Sequence, residues 1–124
     1  MAGATDTTKP IKAPSLMKAL LPLELVRRLD PSDSLSASTV LMALYVMQYP
    51  DSTIKQLEKL AEMSRSSTSR HILILTERGD RARARPGLGL VSTYEDAQDS
   101  RIKRVKLTAK GERLRSDIVK IMES

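Results

Sequence analysis

The chain has no cysteine, tryptophan or phenylalanine, and its 124 residues include one histidine and three tyrosines. Because cysteine is absent, a disulfide scaffold, a thiolate zinc site, an iron–sulfur cluster and a cysteine nucleophile are all excluded. The one histidine, His71, rules out an ordinary His-rich metal site and leaves little material for a catalytic triad. We therefore expect an aliphatic core, no metal and no cofactor.

Long apolar runs are absent as well. No segment approaches the roughly 18 consecutive apolar residues of a membrane span, and the N-terminus lacks the apolar stretch of a signal peptide. The sequence contains no G-x-S-x-G motif, no P-loop and no pair of carboxylates on one helix face, so we predict that the protein is not an enzyme. We expect a cytoplasmic protein with no membrane partner.

Positive charge is concentrated in the second half of the chain. The net charge is +6, and residues 53–124 carry all of it, since residues 1–52 balance five bases with five acids. Residues 65–85 contain six arginines, and residues 101–110 contain five bases and no acid. Two such segments favour a polyanionic partner, because a lysine or arginine on a phosphate releases counterions. A solvated charged face would have the same composition.

The spacing of apolar residues predicts five helices after a flexible, polar tail at residues 1–14. They are expected at Ser15–Leu29, Ser36–Gln48, Ile54–Glu62, Arg65–Arg78 and Ala109–Met122. Pro22 either kinks the first helix or begins it. Ser64 is a good N-cap for the fourth helix, which should end at Gly79.

Two short segments, Leu90–Tyr94 and Ile102–Thr108, are typical of strands, and the turn EDAQDS between them predicts a hairpin. The order helix, helix, helix-turn-helix, hairpin, helix predicts a mainly α fold with a small β-hairpin (α+β), the winged helix-turn-helix. The expected units are one domain at 15–124, with the helix-turn-helix at 53–79, a basic loop at 79–89, the wing at 89–108 and the C-terminal helix at 109–123.

Several motifs carry a family resemblance. The segment Ser64–Arg70, SRSSTSR, resembles the recognition-helix start S-R-S-T-x-S-R of the multiple-antibiotic-resistance regulator (MarR) family. The family's wing pattern, D-x-R-x-x-x-V-x-L-T-x-x-G preceded by G-L-V, is matched by Asp99, Arg101, Val105, Leu107, Thr108, Gly111 and Gly89–Val91. The resemblance spans about residues 36–114. It implies a regulator that binds operator DNA as a homodimer and mostly represses, in some members under the control of a small ligand.

The chain departs from the family pattern between Gly79 and Gly89, where about ten residues are inserted. Glu58 and Glu62 stand where the family usually has Ala and Gly. At about 100° per residue, Ile74 shares a line with Ser67 and Arg70, opposite the expected core stripe of Thr68, Ile72 and Leu75. Ile74 should therefore point outward unless the inserted loop or another chain covers it. We favour the loop, because Leu88 and Leu90 are close in sequence.

The expected DNA contacts fall in three places. In the recognition helix they are Ser64, Arg65, Ser66, Ser67, Ser69 and Arg70, since a helix N-terminus favours anions and short hydroxyl side chains let the backbone approach DNA closely. In the wing they are Asp99, Arg101, Lys103 and Arg104, with Asp99 orienting the guanidinium of Arg101. A plain turn salt bridge is the alternative for that pair. In the inserted loop they are Arg81, Arg83 and Arg85, which equally suit a strand's solvated side.

We predict a sequence-specific transcriptional regulator of double-stranded DNA, a repressor rather than an activator, associated with the nucleoid when bound. A homodimer is expected through the first and last helices, at Leu16, Leu20, Leu23, Ile118, Ile121 and Met122. One alternative is an interaction module that binds a polymerase or another regulator through Leu73, Ile74 and the last helix. Another is a non-specific architectural binder. The sequence does not indicate whether an effector is sensed.

Overall fold

The computed structural model describes residues 14–30 and 35–124, and within them the chain forms five α-helices and a three-stranded antiparallel sheet. The helices are α1 (Pro14–Arg27), α2 (Ala37–Gln48), α3 (Ile54–Ala61), α4 (Arg65–Leu75) and α5 (Ala109–Glu123). The strands are β1 (Ser52–Thr53), β2 (Val91–Glu95) and β3 (Lys103–Leu107), in the spatial order β1-β3-β2. The predicted winged helix-turn-helix is confirmed. The predicted tail lies outside the described residues, except for Pro14.

Strand β1 is absent from the sequence prediction. It pairs with β3 through Ser52 opposite Val105 and Thr53 opposite Arg104, while β2 pairs with β3 over five residues. Two residues are too few for an alternating apolar pattern, so the hydropathy of the sequence carries no sign of this strand. Because β1 directly precedes α3, it joins the wing to the helix-turn-helix.

Helix α1 runs continuously past Pro22, so the alternative in which a helix begins at that proline is wrong. The proline is buried and costs α1 one internal hydrogen bond, since its nitrogen has no hydrogen. Val26, one turn further on, is fully buried in the core. Helix α1 contacts α5 and α2.

The core is aliphatic, as expected, and α2 is its centre. Six residues of α2 are buried, and Met42 and Val46 are completely so. The stripe predicted for α4 is buried as well, with Thr68, Ile72 and Leu75 all directed inward. The remaining members of the core come from α1, α3, the segment before β2, the sheet and α5, and they include Val26, Leu57, Leu90, Val91, Val105 and Ile118.

Helix α4 ends at Leu75, three residues before the predicted end. The backbone N–H groups of Leu88, Gly89 and Leu90 donate to carbonyls at the end of α4. These bonds join Leu88 to Ile74 (3.0 Å), Gly89 to Thr76 (3.3 Å) and Leu90 to Leu75 (2.8 Å). The inserted loop therefore satisfies carbonyls that further helical turns would otherwise have bonded. Thr76 goes on to form a parallel bridge with Val91.

The inserted loop lies against Ile74. The Ile74 side chain is buried within the single chain, as is Leu88, whose backbone N–H donates to the backbone carbonyl of Ile74. Burial of Ile74 therefore needs no second chain, and its coverage by the loop stays a prediction. Gly87 allows this close approach, because a Cβ atom there would lie 2.0 Å from the carbonyl oxygen of Thr76.

Gly111, in the first turn of α5, gives a test of this packing. A Cβ atom there would lie 2.1 Å from the carbonyl oxygen of Leu90. Helix propensity alone predicts that Gly111→Ala stabilises the fold by about 1 kcal/mol. We expect the opposite, a loss of about 1–3 kcal/mol, because the clash involves backbone that must shift. Chemical denaturation measures the free energy of unfolding, with Ser116→Ala on the same helix as the control. A more stable Gly111→Ala variant would contradict this close packing.

Candidate nucleic-acid interface

The start of α4 presents its polar side chains to solvent. The Oγ atom of Ser64 accepts a hydrogen bond from the backbone N–H of Ser67 at 3.1 Å, which confirms the predicted N-cap. Five of the six predicted recognition-helix contacts are exposed, and Ser67 is half-buried. These exposed residues are Ser64, Arg65, Ser66, Ser69 and Arg70. The face is hydroxyl-lined with two arginines, while Thr68 and Ile72 anchor the opposite side.

The turn between α3 and α4 keeps its geometry despite the two glutamates. Glu62 adopts a left-handed conformation with φ of 53°, a region that favours glycine, and its N–H bonds back to the carbonyls of Glu58 and Lys59. At the other end of α3, Thr53 and Gln56 form a complete capping box. Both ends of α3 are therefore fixed, and they hold the start of α4 in place.

The wing turn holds Arg101 in a carboxylate fork. The Nε and Nη2 atoms of Arg101 donate to the two Asp99 oxygens at 3.0 and 3.1 Å, and the Arg101 backbone N–H also donates to Asp99 at 3.0 Å. The hydrogen bonds from Arg101 hold the pKa of Asp99 below its usual range. The expected orientation of Arg101 by Asp99 is present, and 89% of the Arg101 side chain remains exposed.

Arg104 has a different position from the other wing cations. Its Nε atom donates to the Asp96 carboxylate at 2.5 Å, and its Nη1 atom donates to the Asp51 carbonyl at 2.8 Å. The hydroxyl of Tyr94 donates to the Asp51 carboxylate at 2.6 Å, and this bond raises the pKa of Tyr94. Arg104 therefore joins the wing to the segment that precedes β1. Since its guanidinium is bonded within the chain, we leave Arg104 out of the proposed DNA contacts.

The recognition helix and the wing meet at one groove, which we call the basic groove. It has a volume of about 630 Å³. Its lining residues are Thr53, Ile54, Lys55, Arg65, Asp99, Arg101, Ile102 and Lys103. Arg65, Arg101 and Lys103, predicted from two separate basic segments, thus lie around a single cleft. The sequence analysis missed Lys55. Its position in the first turn of α3 could have indicated it, because the first helix of a helix-turn-helix motif crosses the DNA backbone.

The three arginines of the inserted loop separate into two kinds. Arg83 bonds to Asp80 at 3.0 Å within the loop, and Arg85 forms an ion pair with Asp30 at 3.5 Å. Arg81 is exposed and lines a second groove, of about 810 Å³, together with Ser69 and Leu73 of α4. Only Arg81 is therefore placed beside the recognition helix. We leave Arg83 and Arg85 out of the proposed DNA contacts.

The residues predicted for dimerisation lie mostly on an exposed apolar surface. Leu16, Leu20 and Leu23 on α1 are about half exposed, as is Met122 on α5. Ile121 is half-buried, whereas Ile118 is buried in the chain's own core, so we leave Ile118 out of the proposed interface. Further exposed apolar residues were missed, namely Met17 and Leu21 on α1 and Val119 on α5.

His71 joins α4 to α2. Its Nδ1 atom lies 2.8 Å from the Oγ1 atom of the buried Thr39, which lies 3.0 Å from the Oγ atom of Ser36. Burial lowers the pKa of His71, and the neighbouring charge of Arg70 lowers it further. Among the described residues, no group of side chains could hold a metal ion, and no helix has the length and hydrophobicity to cross a membrane.

A helix-turn-helix followed by a β-wing defines the winged-helix class of proteins. Solved structures with this fold are 15–24% identical to the chain, and MarR-type regulators are among them. The MepR–DNA complex of S. aureus is 21% identical, with 88% of this chain and 76% of that chain covered and a TM-score of 0.58. Two regulators of Thermotoga maritima are also similar. One, Tm0710, is 15% identical, with 88% of this chain and 67% of that chain covered and a TM-score of 0.64. The other, a MarR-like regulator, is 24% identical, with 93% of this chain and 78% of that chain covered and a TM-score of 0.59. No family model and no curated protein matches the chain.

The fork on Arg101 predicts a pH dependence. The pKa of Asp99 is lowered in the folded state. At every pH above about 3.9, the pKa of an unpaired aspartate, the carboxylate is therefore ionised and bonded to Arg101. The fork is lost as the pH falls through the lower folded-state value. We expect the Arg101 Nε–H to exchange more slowly than that of the exposed Arg113 at neutral pH, with the difference vanishing on acidification, as measured by NMR. Asp99→Asn is the control, and equal exchange at neutral pH would contradict the fork.

Proposed function

We propose that this protein is a sequence-specific, double-stranded-DNA-binding transcriptional regulator and not an enzyme. The observation that carries the proposal is the basic groove, in which cations of the wing and of the recognition helix line one cleft. Four cationic side chains and the single carboxylate of Asp99 line it; Asp99 is bonded to Arg101, and the Nζ atom of Lys103 lies 3.5 Å from the Glu95 carboxylate on the neighbouring strand. Such a convergent positive surface fits a phosphate backbone. The MepR structure with the same fold is a complex with DNA.

Within this proposal, α4 enters the major groove by its exposed face. Arg70 is suited to pair with a guanine edge, because a guanidinium can donate to O6 and N7 together. The hydroxyls of Ser66 and Ser69 approach bases or phosphates closely. Arg101 projects from the wing into the minor groove or onto phosphate, while Lys55, Lys103 and Arg81 contact phosphates. Phosphate contacts set the register on the duplex, and base contacts set the sequence preference.

The protein acts as a homodimer in this proposal, because one module reads only a few base pairs and two half-sites supply affinity. The exposed side chains of α1 and α5 form the interface, with Leu16, Leu20, Leu23 and Met122 as its centre. Exposed apolar side chains grouped on two packed helices mark an association surface. A dimer bound across a promoter blocks access to it, so we favour repression, in the cytoplasm and on the nucleoid.

The interaction-module alternative loses one of its supporting residues. Ile74 is buried within the chain, and Leu73 is only half exposed, so they present no continuous apolar patch on α4. The remaining distinction is between a specific and a non-specific DNA binder. Selection of preferred sites from random duplexes at fixed salt separates them. We expect a symmetric preferred site, and equal affinity for all duplexes would contradict the regulator.

Two arginine variants separate base reading from backbone binding. Arg70→Ala should cost about 1–3 kcal/mol on the preferred site and relax the preference at one base position. Arg101→Ala should weaken binding to all sequences alike and lower the salt slope by about 1. Both effects are measured by titration of labelled duplexes at several salt concentrations. Arg113→Ala, on the exposed face of α5, is the control. Unchanged binding by both variants would refute the proposed interface.

The dimer is tested by Leu20→Glu. We expect the unmodified chain to have the mass of two chains at micromolar concentration, and the variant the mass of one. A charge introduced at the centre of an apolar interface must be desolvated without a partner. Light scattering measures the mass. Ile102→Glu, at an exposed apolar residue of the wing turn, is the matched control and should remain dimeric. A dimeric Leu20→Glu chain would place the interface elsewhere.

A further inference from the structure

A buried carboxylate lies at the end of α1, away from the basic groove. Asp30 follows the last turn of α1 and is 7% exposed. Its Oδ2 atom lies 3.5 Å from the Nη2 atom of Arg85, whose side chain is 28% exposed. A carboxylate is rarely buried to this degree unless it is paired, and the desolvation of both groups makes such a pair sensitive to the loss of either partner. The pair bridges α1 and the inserted loop.

The other side of the inserted loop is bonded to α4 and α5. The N–H groups of Leu88 and Leu90 donate to carbonyls in the last turn of α4, at 3.0 and 2.8 Å. The Nζ atom of Lys110 in α5 donates to the carbonyl of Leu88 at 2.9 Å, and the hydroxyl of Thr108 donates to the carbonyl of Gly89 at 2.6 Å. The loop is therefore attached to the end of the recognition helix by backbone bonds.

The loop between these two attachments is closed by hydrogen bonds of its own. The backbones of Asp80 and Arg85 exchange two hydrogen bonds of 2.9 Å, and Arg83 bonds to the Asp80 carboxylate inside the ring. Gly79 has a φ of +69°, and a Cβ atom there would lie 2.3 Å from the carbonyl of Arg85. A displacement at Arg85 is thus transmitted along the loop to α4, since this ring has little freedom to absorb it.

We propose that Asp30 and Arg85 are positioning residues that fix the recognition helix relative to α1. This inference rests on the proposed function, because it takes α1 as the dimer helix and α4 as the DNA-reading helix. In a dimer, the placement of α1 then sets the separation of the two recognition helices, which must match half-sites about 34–36 Å apart. The inserted loop thereby selects the spacing of the operator and makes no base contact through Arg85.

The first test measures the coupling without DNA. The chain has no cysteine, so Ala19→Cys on α1 and Ser66→Cys on α4 give two unique spin-label sites on exposed residues. The labelled chain is diluted with unlabelled chain, so that distances within one protomer dominate. Asp30→Asn with Arg85→Gln removes both charges of this ion pair together. We expect this double variant to broaden the α1–α4 distance distribution.

Matched variants show whether the effect belongs to this pair. Arg78→Gln removes an exposed cation that directly precedes the loop and lies outside its closed ring, and it should leave the distribution unchanged. The exchanged pair Asp30→Arg with Arg85→Asp should narrow the distribution again. A distribution for the Asp30→Asn/Arg85→Gln variant as narrow as that of the parent chain would overturn the coupling.

The second test concerns DNA. Site selection with the Asp30→Asn/Arg85→Gln variant should return the same half-site, with the preference for one half-site spacing reduced about tenfold. Affinity for a duplex with a single half-site should be unchanged. An equal loss of affinity for duplexes with one and with two half-sites would indicate a merely structural role and overturn the proposal. If the parent chain selects no site at all, the proposed function fails, while the label distances still decide whether α1 and α4 are coupled.

Discussion

The two-residue pairing of β1 with β3 is the contact on which the proposed interface depends. An isolated two-stranded hairpin is marginal in water, and β1 supplies the third strand immediately before α3 begins. The Asp51 segment reinforces this junction, since it accepts hydrogen bonds from both Arg104 and Tyr94 of the wing. The wing is thus held against the helix-turn-helix, and this arrangement brings Arg101 and Arg65 to one groove. Each basic segment alone would be an ordinary solvated face.

The basic residues divide into those bonded within the chain and those that project from it. Arg104 and Arg83 share their guanidinium groups with carboxylates and backbone carbonyls, and Arg85 joins them through Asp30. Releasing such a cation to meet a phosphate would take its charge away from a buried or half-buried carboxylate, which is costly. Arg101 differs because its carboxylate partner orients an almost fully exposed side chain. A carboxylate can therefore either hold an arginine within the fold or orient it toward solvent, depending on how far the arginine side chain is buried.

The sequence predicted most of the fold because helix caps and apolar stripes are local signals. Ser64 as N-cap, the stripe of Thr68 and Ile72, and the two wing strands all lie where the residues indicated. The end of α4 and the existence of β1 were missed, because long-range backbone bonds determine both. The roles of Arg104 and Arg85 were equally hidden, since their partners Asp96 and Asp30 lie 8 and 55 residues away. The number of cations is known from the sequence, but only the fold shows which of them are bonded to carboxylates.

The inserted loop and its neighbours form a mutually dependent set. The loop bonds to the backbone of Ile74, a residue whose helical position is on the exposed side of α4, and it places Arg85 beside the buried carboxylate of Asp30. Without the loop, the end of α4 would lose three backbone hydrogen bonds, and the buried carboxylate of Asp30 would lose the guanidinium of Arg85. Ile74, Asp30 and the loop at residues 79–89 are therefore linked to one another by direct contacts. An insertion of this kind gives a winged helix a contact between its first helix and its recognition helix.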